Sequence, residues 1–437
     1  SCLIYAVNLA SPMVEWSRCL EVLPVLEDVV KVASMVRELD REVLARFYLL
    51  LGRARQDIRS GDPQAASAMQ RAYALAPSDI IKGEVELFQS KGLVFKGDLK
   101  RATKGLEKAS LKLVDASPSL RSQVEIEQGV VQWYLGSFDA AEEFFAKGLA
   151  IAREAKLNRL VARGLGGRGV LRLCTGQLIG SEEDLREAAA LYEQAGDRSG
   201  LWHIHGNLAD ILRRKGALTE AVVLLLSEWE SVQEGGSWMR QALYVLNLAE
   251  SEVDLFRLGR ARERLELLEA DMNLHDHLHL RAAAGMIKAK IAIVSGEPTL
   301  AVEILEPLVD RCFSVGIHVI SAQMLAYLGE ARVLCGYEEL GSRNLADSIR
   351  SLQRQRQMPT LGDACAARSR ALWQREDPEI TFGPVLRWIN REPANLLKLE
   401  YMIMSARYAE LRADISRAGR LWREASDLQA QIMSKLS

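Results

Sequence analysis

Proline is scarce in this chain, at 11 of 437 residues, about half the ~5% typical of proteins. That argues against a loop-rich β fold and for long uninterrupted helices. Charge of one sign is missing too: 56 Lys and Arg face 58 Asp and Glu, a net charge of −2. A globally basic nucleic-acid binder is thereby disfavoured. The six cysteines, Cys2, Cys19, Cys174, Cys312, Cys335 and Cys365, lie far apart, with no C-x-x-C and no zinc-ligand spacing. They read as reduced thiols of a cytoplasmic protein. No apolar run nears the ~18 residues of a membrane span; Ala221-Val-Val-Leu-Leu-Leu226 stops at six. No secretory leader pattern opens the chain. It begins at Ser1 instead of methionine, which suggests a piece of a longer protein.

What is present is a repeat. A turn residue, usually glycine, recurs between two helix-like stretches at Gly61, Gly97, Gly136, Gly176, Gly216, Gly259, Gly296 and Gly336, with Glu376 and Ala413 in the same slot. The mean spacing is near 39. Seven residues before each turn stand Ala54, Ser90, Gly129, Gly169, Ala209, Glu252, Ala289, Gly329, Ser369 and Ala406. All but Glu252 are small, which lets a partner helix approach closely. Glu252 follows the longest spacing, so the register there is expected to be shifted by an inserted residue. Five residues after the turn a third small column includes Ala66, Ala102, Ala141, Ala221, Ala301 and Ala418, while Arg264 does not fit it. Between turns the apolar residues follow helical spacing, as in Ala141, Phe144, Phe145, Leu149 and Ala152. No stretch alternates long enough for a strand. The expected fold is all-α, a right-handed α-solenoid of about ten antiparallel helix pairs. Residues 1–41 read as a helical cap or degenerate repeat, with helices Val14–Leu23 and Val25–Leu39 meeting at Pro24; 42–412 form the array and 413–437 a capping helix, all one continuous domain without an internal boundary.

Gly129, then Gly136-Ser-Phe-Asp-Ala-Ala141 and Phe145, resemble the tetratricopeptide signature of small residue, turn glycine, alanine and aromatic. Ala195-Gly-Asp-Arg-Ser-Gly-Leu201, Asn207-Leu-Ala209, Gly216 and Glu220-Ala221 resemble its long-period subclass. That subclass forms the sensor arm of signal-transduction NTPases with numerous domains and of the maltose-regulon activator type of bacterial regulator. A period near 39 also fits the forty-residue repeats of eukaryotic polarity adaptors. The resemblance implies a superhelix whose first helices line a concave groove, and a role in binding a partner beside an effector domain. It implies fold more specifically than function.

The chemistry-bearing patterns have plainer readings beside this. Gly164-Leu-Gly-Gly-Arg-Gly169 lies inside a predicted helix, where glycines serve helix contact and not phosphate cradling. No G-x-x-x-x-G-K-[ST], G-x-S-x-G or H-E-x-x-H is present, so a non-enzyme without cofactor is expected. His275, His277 and His279, with Asp271 and Asp276 near, fit an exposed loop better than a metal site. Two arginine-rich stretches, Arg153–Arg172 and Ser342–Arg375, each carry a net +5 and read as solvated faces.

Carrying the groove geometry over, the inward column falls six residues before each turn: Arg55, Lys91, Val130, Val170, Asp210, Val253, Lys290, Glu330, Arg370 and Arg407, joined by Trp133, Arg213, Phe256 and Trp373. From these, Arg55, Lys91, Trp133, Asp210, Arg213, Lys290, Glu330, Arg370, Trp373 and Arg407 are the candidate binding residues. An apolar centre flanked by cations suits a protein or peptide with acidic residues; a small-molecule inducer is the other ligand weighed. The expected role is the sensor or docking arm of a larger bacterial regulator, with a static scaffold as the alternative. Reversing Lys290 and Arg370 together should then weaken binding and leave thermal stability nearly unchanged.

Overall fold

The computed structural model describes residues 22–28, 40–58, 62–95, 98–235, 238–270, 277–315 and 318–434. Gly61 and Gly97 lie outside the described residues, as do Cys2, Cys19, Asp271, His275, Asp276 and most of the expected N-terminal cap. All the described regular structure is helical. The order is α1 (Arg41–Ile58), α2 (Pro63–Leu75), α3 (Asp79–Phe95), α4 (Leu99–Lys112), α5 (Pro118–Tyr134), α6 (Phe138–Glu154), α7 (Asn158–Thr175), α8 (Leu178–Gln194), α9 (Arg198–Arg214), α10 (Leu218–Gly235), α11 (Trp238–Asp254), α12 (Leu258–Glu269), α13 (Leu278–Val294), α14 (Pro298–Ser314), α15 (His318–Leu334), α16 (Glu338–Arg354), α17 (Met358–Leu372), α18 (Pro378–Thr381), α19 (Leu386–Arg391), α20 (Asn395–Leu411) and α21 (Ile415–Met433). Ahead of α1, residues 22–28 are helical. Helix therefore runs through Pro24, where the sequence suggests a break between two helices; the proline ring's fixed φ suits a helix.

The chain divides into two compact units. One takes in residues up to Leu171 with Arg186–Leu201; the other takes in Arg172–Leu185 with Trp202–Ser437. No such boundary is legible in the composition. Each unit is a run of antiparallel helix pairs, so the fold is a tetratricopeptide-like helical-repeat solenoid.

The period is forty. Left-handed backbone occurs at Gly136, Gly176, Gly216, Phe256, Gly296 and Gly336, with φ between 57° and 89°. The turn of the sixth pair is thus at Phe256, and Gly259 lies in the first turn of α12. With that three-residue correction the small column reads Ala249 in place of Glu252, and the third column Ala261 in place of Arg264; both alanines are fully buried. The expected insertion does not exist. Glycine is the usual left-handed residue, and here a phenylalanine takes the position, which is why the sequence points to the wrong turn.

Each of these turns closes by the same pair of hydrogen bonds. At the corrected turn the Phe256 amide donates to the Val253 carbonyl and the Arg257 amide to that of Glu252, at 2.9 and 2.8 Å. This Schellman closure satisfies carbonyls that a helix end would orphan. It recurs halfway along the period, at Lys156, Gly196 and Arg356. The small columns do what close packing asks of them: a Cβ on Gly341 of α16 would lie 2.6 Å from the Gly329 carbonyl oxygen of α15. The glycines of 164–169 serve packing in the same way, since a Cβ on Gly167 would lie 2.6 Å from the Phe145 ring.

The ninth pair departs from the pattern. Glu376 has no left-handed backbone, and the second helix of that pair is broken into α18 and α19, of four and six residues. Pro378, Pro384 and Pro393 fall in this stretch, where a full helix would lose hydrogen bonds at each interior proline.

Candidate binding site on the inner wall

First helices pack on first helices of the next pair: α1 on α3, α3 on α5, α11 on α13, α13 on α15 and α15 on α17. The residue six before each turn lies on these first helices, on the face that the sequence reading takes as the inner wall. With the register corrected, that column in the second unit is Asp210, Glu250, Lys290, Glu330 and Arg370, a charge in every pair. Glu250 takes the place given to Val253, which is buried in the core.

These charges bind one another. Lys290 Nζ donates to Glu250 Oε1 at 2.7 Å, and Arg370 donates to both carboxylate oxygens of Glu330 at 2.6 and 2.7 Å and also to Glu400. Arg213 reaches Asp210 at 2.7 Å, Asp254 at 2.6 Å and Glu250 at 3.5 Å. Arg214 holds Asp210 at 3.2 Å and, across the interior, Asp363 of α17 at 3.5 Å. Burial alone would raise the Glu250 carboxyl, but Arg213 and Lys290 outweigh it and hold it well below the usual carboxylate range. Asp210 is lowered likewise, burial being outweighed by Arg214 and Arg213. Burial disfavours the Lys290 ammonium, and Glu250 nonetheless carries its pKa far above the usual value. Tyr327, with Lys290 5.3 Å from its ring centroid, is pushed up to about 12, chiefly by burial.

The sequence reading is an apolar centre flanked by cations; in the second unit the column carries a charge in every pair. The wall presents Asp210, Glu250, Asp254, Glu330, Asp363 and Glu400 to only four cations, Arg213, Arg214, Lys290 and Arg370. Its cations are already engaged, so they form no open clamp for an acidic ligand. Small cavities lie along this network, one of about 40 Å³ beside Arg213, Arg214, Asp363 and Leu397 and one of about 10 Å³ beside Asp210 and Asn247. Neither holds more than a water or two.

The other candidates stand apart from this network. Arg407 lies over the Trp373 ring at 4.3 Å. In the first unit Arg55 pairs with Glu27 at 2.8 Å and donates to Gln64. Lys91 lies 5.3 Å from the Phe88 ring, and Trp133 meets Tyr134 at 4.5 Å. The arginine-rich stretches are largely paired too: Arg153 with Glu187, Arg159 with Asp197, Arg163 with Glu127, Arg343 with Glu339 and Arg375 with Glu338. Among the described residues no cluster of three metal-ligating side chains exists. His277 stacks on Trp238 at 5.1 Å, with His279 6.0 Å from it. No described helix is long and apolar enough to cross a membrane.

No family model matches the chain, and no curated protein matches it in sequence. Solved structures do. Aspartyl phosphate phosphatase F from Bacillus subtilis superposes with a TM-score of 0.52 at 10% identity, over 82% of this chain and 95% of that one. The apo quorum sensor NprR from B. thuringiensis gives 0.49 at 11%, over 79% and 97%. A signal-transduction ATPase with numerous domains and a tetratricopeptide-repeat sensor, from Pyrococcus horikoshii, gives 0.37 at 14%, over 90% and 53%. At such identities the phosphatase likeness speaks for the fold alone, and the fold it supports is the tetratricopeptide-like helical-repeat solenoid built up above.

Proposed function

We infer that this chain is a non-catalytic binding module that senses or docks a protein, peptide or small-molecule ligand, as an arm of a larger bacterial regulator. The observation that carries this reading is the Arg214–Asp363 contact at 3.5 Å. It joins two inner-wall residues 149 positions apart in the chain, so a ligand entering the second unit must part groups that now hold one another. Binding and curvature are coupled on those terms: a ligand that prefers the parted wall shifts the balance between closed and open forms. Small adjustments at successive interfaces of a repeat array add up along it. The candidate residues Asp210, Arg213, Lys290, Glu330 and Arg370 act here as the closure a ligand competes with. Arg55, Lys91 and Trp133 form a separate candidate surface in the first unit.

Small-angle X-ray scattering of the full chain tests this reading. A bound ligand should raise the radius of gyration, and Arg214→Ala with Asp363→Ala should raise it without ligand. A ligand that binds while the scattering stays unchanged in both would favour the static scaffold. One observation speaks for that second reading: Phe256, Val294, Leu334 and Tyr337, on or beside the turns of three successive pairs, are half or more exposed. Such a ridge can hold a partner without any change in curvature.

A further inference from the structure

Two second helices, α4 in the first unit and α10 in the second, carry opposite charge. α4 holds five cations, Lys100, Arg101, Lys104, Lys108 and Lys112, against Glu107 alone. α10 holds Glu220, Glu228, Glu230 and Glu234 and no cation. Their net charges are thus +4 and −4, in a chain whose own net charge is only −2. Arg101 pairs with Asp98 at 3.4 Å, and Glu228 faces His205 at 3.3 Å. Among the described residues, however, Lys104 and Lys108 meet no carboxylate, and Glu230 and Glu234 meet no cation.

Each helix buries one face and leaves the other to solvent. α4 packs on α3 and α5 through Ala102, Leu106 and Ala109, and α10 packs on α11, with Ala221, Leu225 and Val232 buried. The opposite stripe of α4 runs Lys100, Lys104, Lys108, Leu111 and, in the turn that ends the helix, Val114; all are exposed. That of α10 runs Val223, Leu226, Glu230 and Glu234, also exposed. Leu111 and Val114 are 80% and 63% exposed, Val223 and Leu226 58% and 43%. Side chains three and four apart share a helix face, so each stripe has apolar residues at one end and like charges at the other. Other long-range contacts of the second unit are closed inside the chain and offer a partner nothing: the buried Trp388 indole donates to the Gly176 carbonyl at 2.6 Å, and Asn395 Nδ2 to that of Lys215 at 3.0 Å.

The two stripes match when laid antiparallel. Val114 is three residues from Leu111, as Val223 is from Leu226. On the far side Lys108 and Lys104 lie three and seven residues from Leu111, and Glu230 and Glu234 four and eight from Leu226. At ~1.5 Å per residue, setting Leu111 on Leu226 brings Lys108 level with Glu230 and Lys104 level with Glu234 to within about 2 Å. It also brings the lysines to the negative dipole end of α10. Laid parallel, the apolar end of each stripe would meet the charged end of the other.

We propose that α4 of one copy of this chain docks antiparallel on α10 of a second copy. The contact joins unlike faces, so the copies close into a ring or extend into a string. The four apolar residues supply affinity, and the lysine–glutamate pairs fix the orientation. One helix face on another is small beside the ~1,200–2,000 Å² of a stable interface, so the association is weak, and its exposed ion pairs make it sensitive to salt. It uses none of the inner-wall charges and does not depend on the ligand reading above.

The test is sedimentation of the full wild-type chain from about 5 to 200 μM, in about 50 and 500 mM NaCl. The mean mass should climb above the 48.6 kDa of one chain at high concentration in low salt, and fall back in high salt. Lys104→Glu with Lys108→Glu, and separately Glu230→Lys with Glu234→Lys, should each move the association midpoint at least tenfold upward. Mixing the two reversed variants should restore it, because the acidic α4 of one then meets the basic α10 of the other. A wild-type chain that keeps the mass of one copy throughout would overturn the proposal. So would reversed variants that associate as wild type does, or that fail to recover on mixing. Should either reversed variant not fold, Leu111→Ser decides: it should move the midpoint in the same direction, and an unchanged midpoint would overturn the proposal equally.

Discussion

Lys290 and Glu250, forty residues apart in sequence, sit one above the other on adjacent first helices with Nζ and Oε1 2.7 Å apart. Arg370 and Glu330 repeat the relationship two pairs on. Lys290→Glu together with Arg370→Glu would place one new carboxylate against Glu250 and another against Glu330 and Glu400. Both pairs are part-buried, with the Lys290 side chain 19% and that of Arg370 36% exposed, so breaking them costs less than the ~3–5 kcal/mol of a fully buried pair, and the double reversal should still lower the melting temperature. The expectation of near-unchanged stability, formed on the sequence alone, is thus reversed; calorimetry of the two single variants and the double checks it.

Acid should loosen the second unit first. Glu250 and Asp210 titrate below the ordinary carboxylate range when folded, because Arg213 with Lys290 and Arg214 outweigh their burial. A depressed carboxyl stabilises the fold above its unfolded pKa, near ~4, and that contribution drains away as pH falls through the folded value. Denaturant melts from pH 7 to 2.5 should show stability flat to about 5 and declining below it. Glu250→Gln should flatten the decline.

Phe256 carries a φ of 57° with its side chain three-quarters exposed. Left-handed backbone costs a non-glycine residue about 1–2 kcal/mol, and little packing is lost with this ring. Phe256→Gly should therefore stabilise by about 1 kcal/mol, less a small entropic cost, as read by urea titration. If the ridge of exposed apolar residues is a docking surface, the same variant should weaken partner binding.

Gly341 approaches the Gly329 backbone of its partner helix closely. Gly341→Val would force α15 and α16 apart, and overpacking of this kind typically costs about 1–3 kcal/mol. Gly259→Val, where a side chain would meet nothing within 4 Å, is the control and should be nearly neutral by the same titration.

Much of the fold is legible because close packing leaves marks in residue size. Gly136, Gly176, Gly216, Gly296 and Gly336 announce their turns, and Ala209, Ala289 and Gly329 fix the facing helix. The register slips at Phe256, where the turn's backbone demand is met by a residue that does not advertise it, and the slip hides Glu250. Strict forty-residue spacing of Asp210, Lys290, Glu330 and Arg370 is the signal that could have found it. That the charges satisfy one another is not legible, since sign and spacing do not tell whether two side chains on adjacent helices point at a ligand or at each other. The proline-rich stretch from Pro378 to Pro393 marks an irregular pair, but nothing local says that Trp388 meets Gly176.

A repeat array ordinarily melts from its ends, each pair leaning only on the next. Trp388 on Gly176 and Asn395 on Lys215 tie the ninth and tenth pairs to the fourth and fifth, and so close that open string into a loop. The repeats between them cannot fray one at a time without straining the tie. The second unit should therefore unfold in a single cooperative step, and form late, once the residues around 390 are in place to meet the turns that await them.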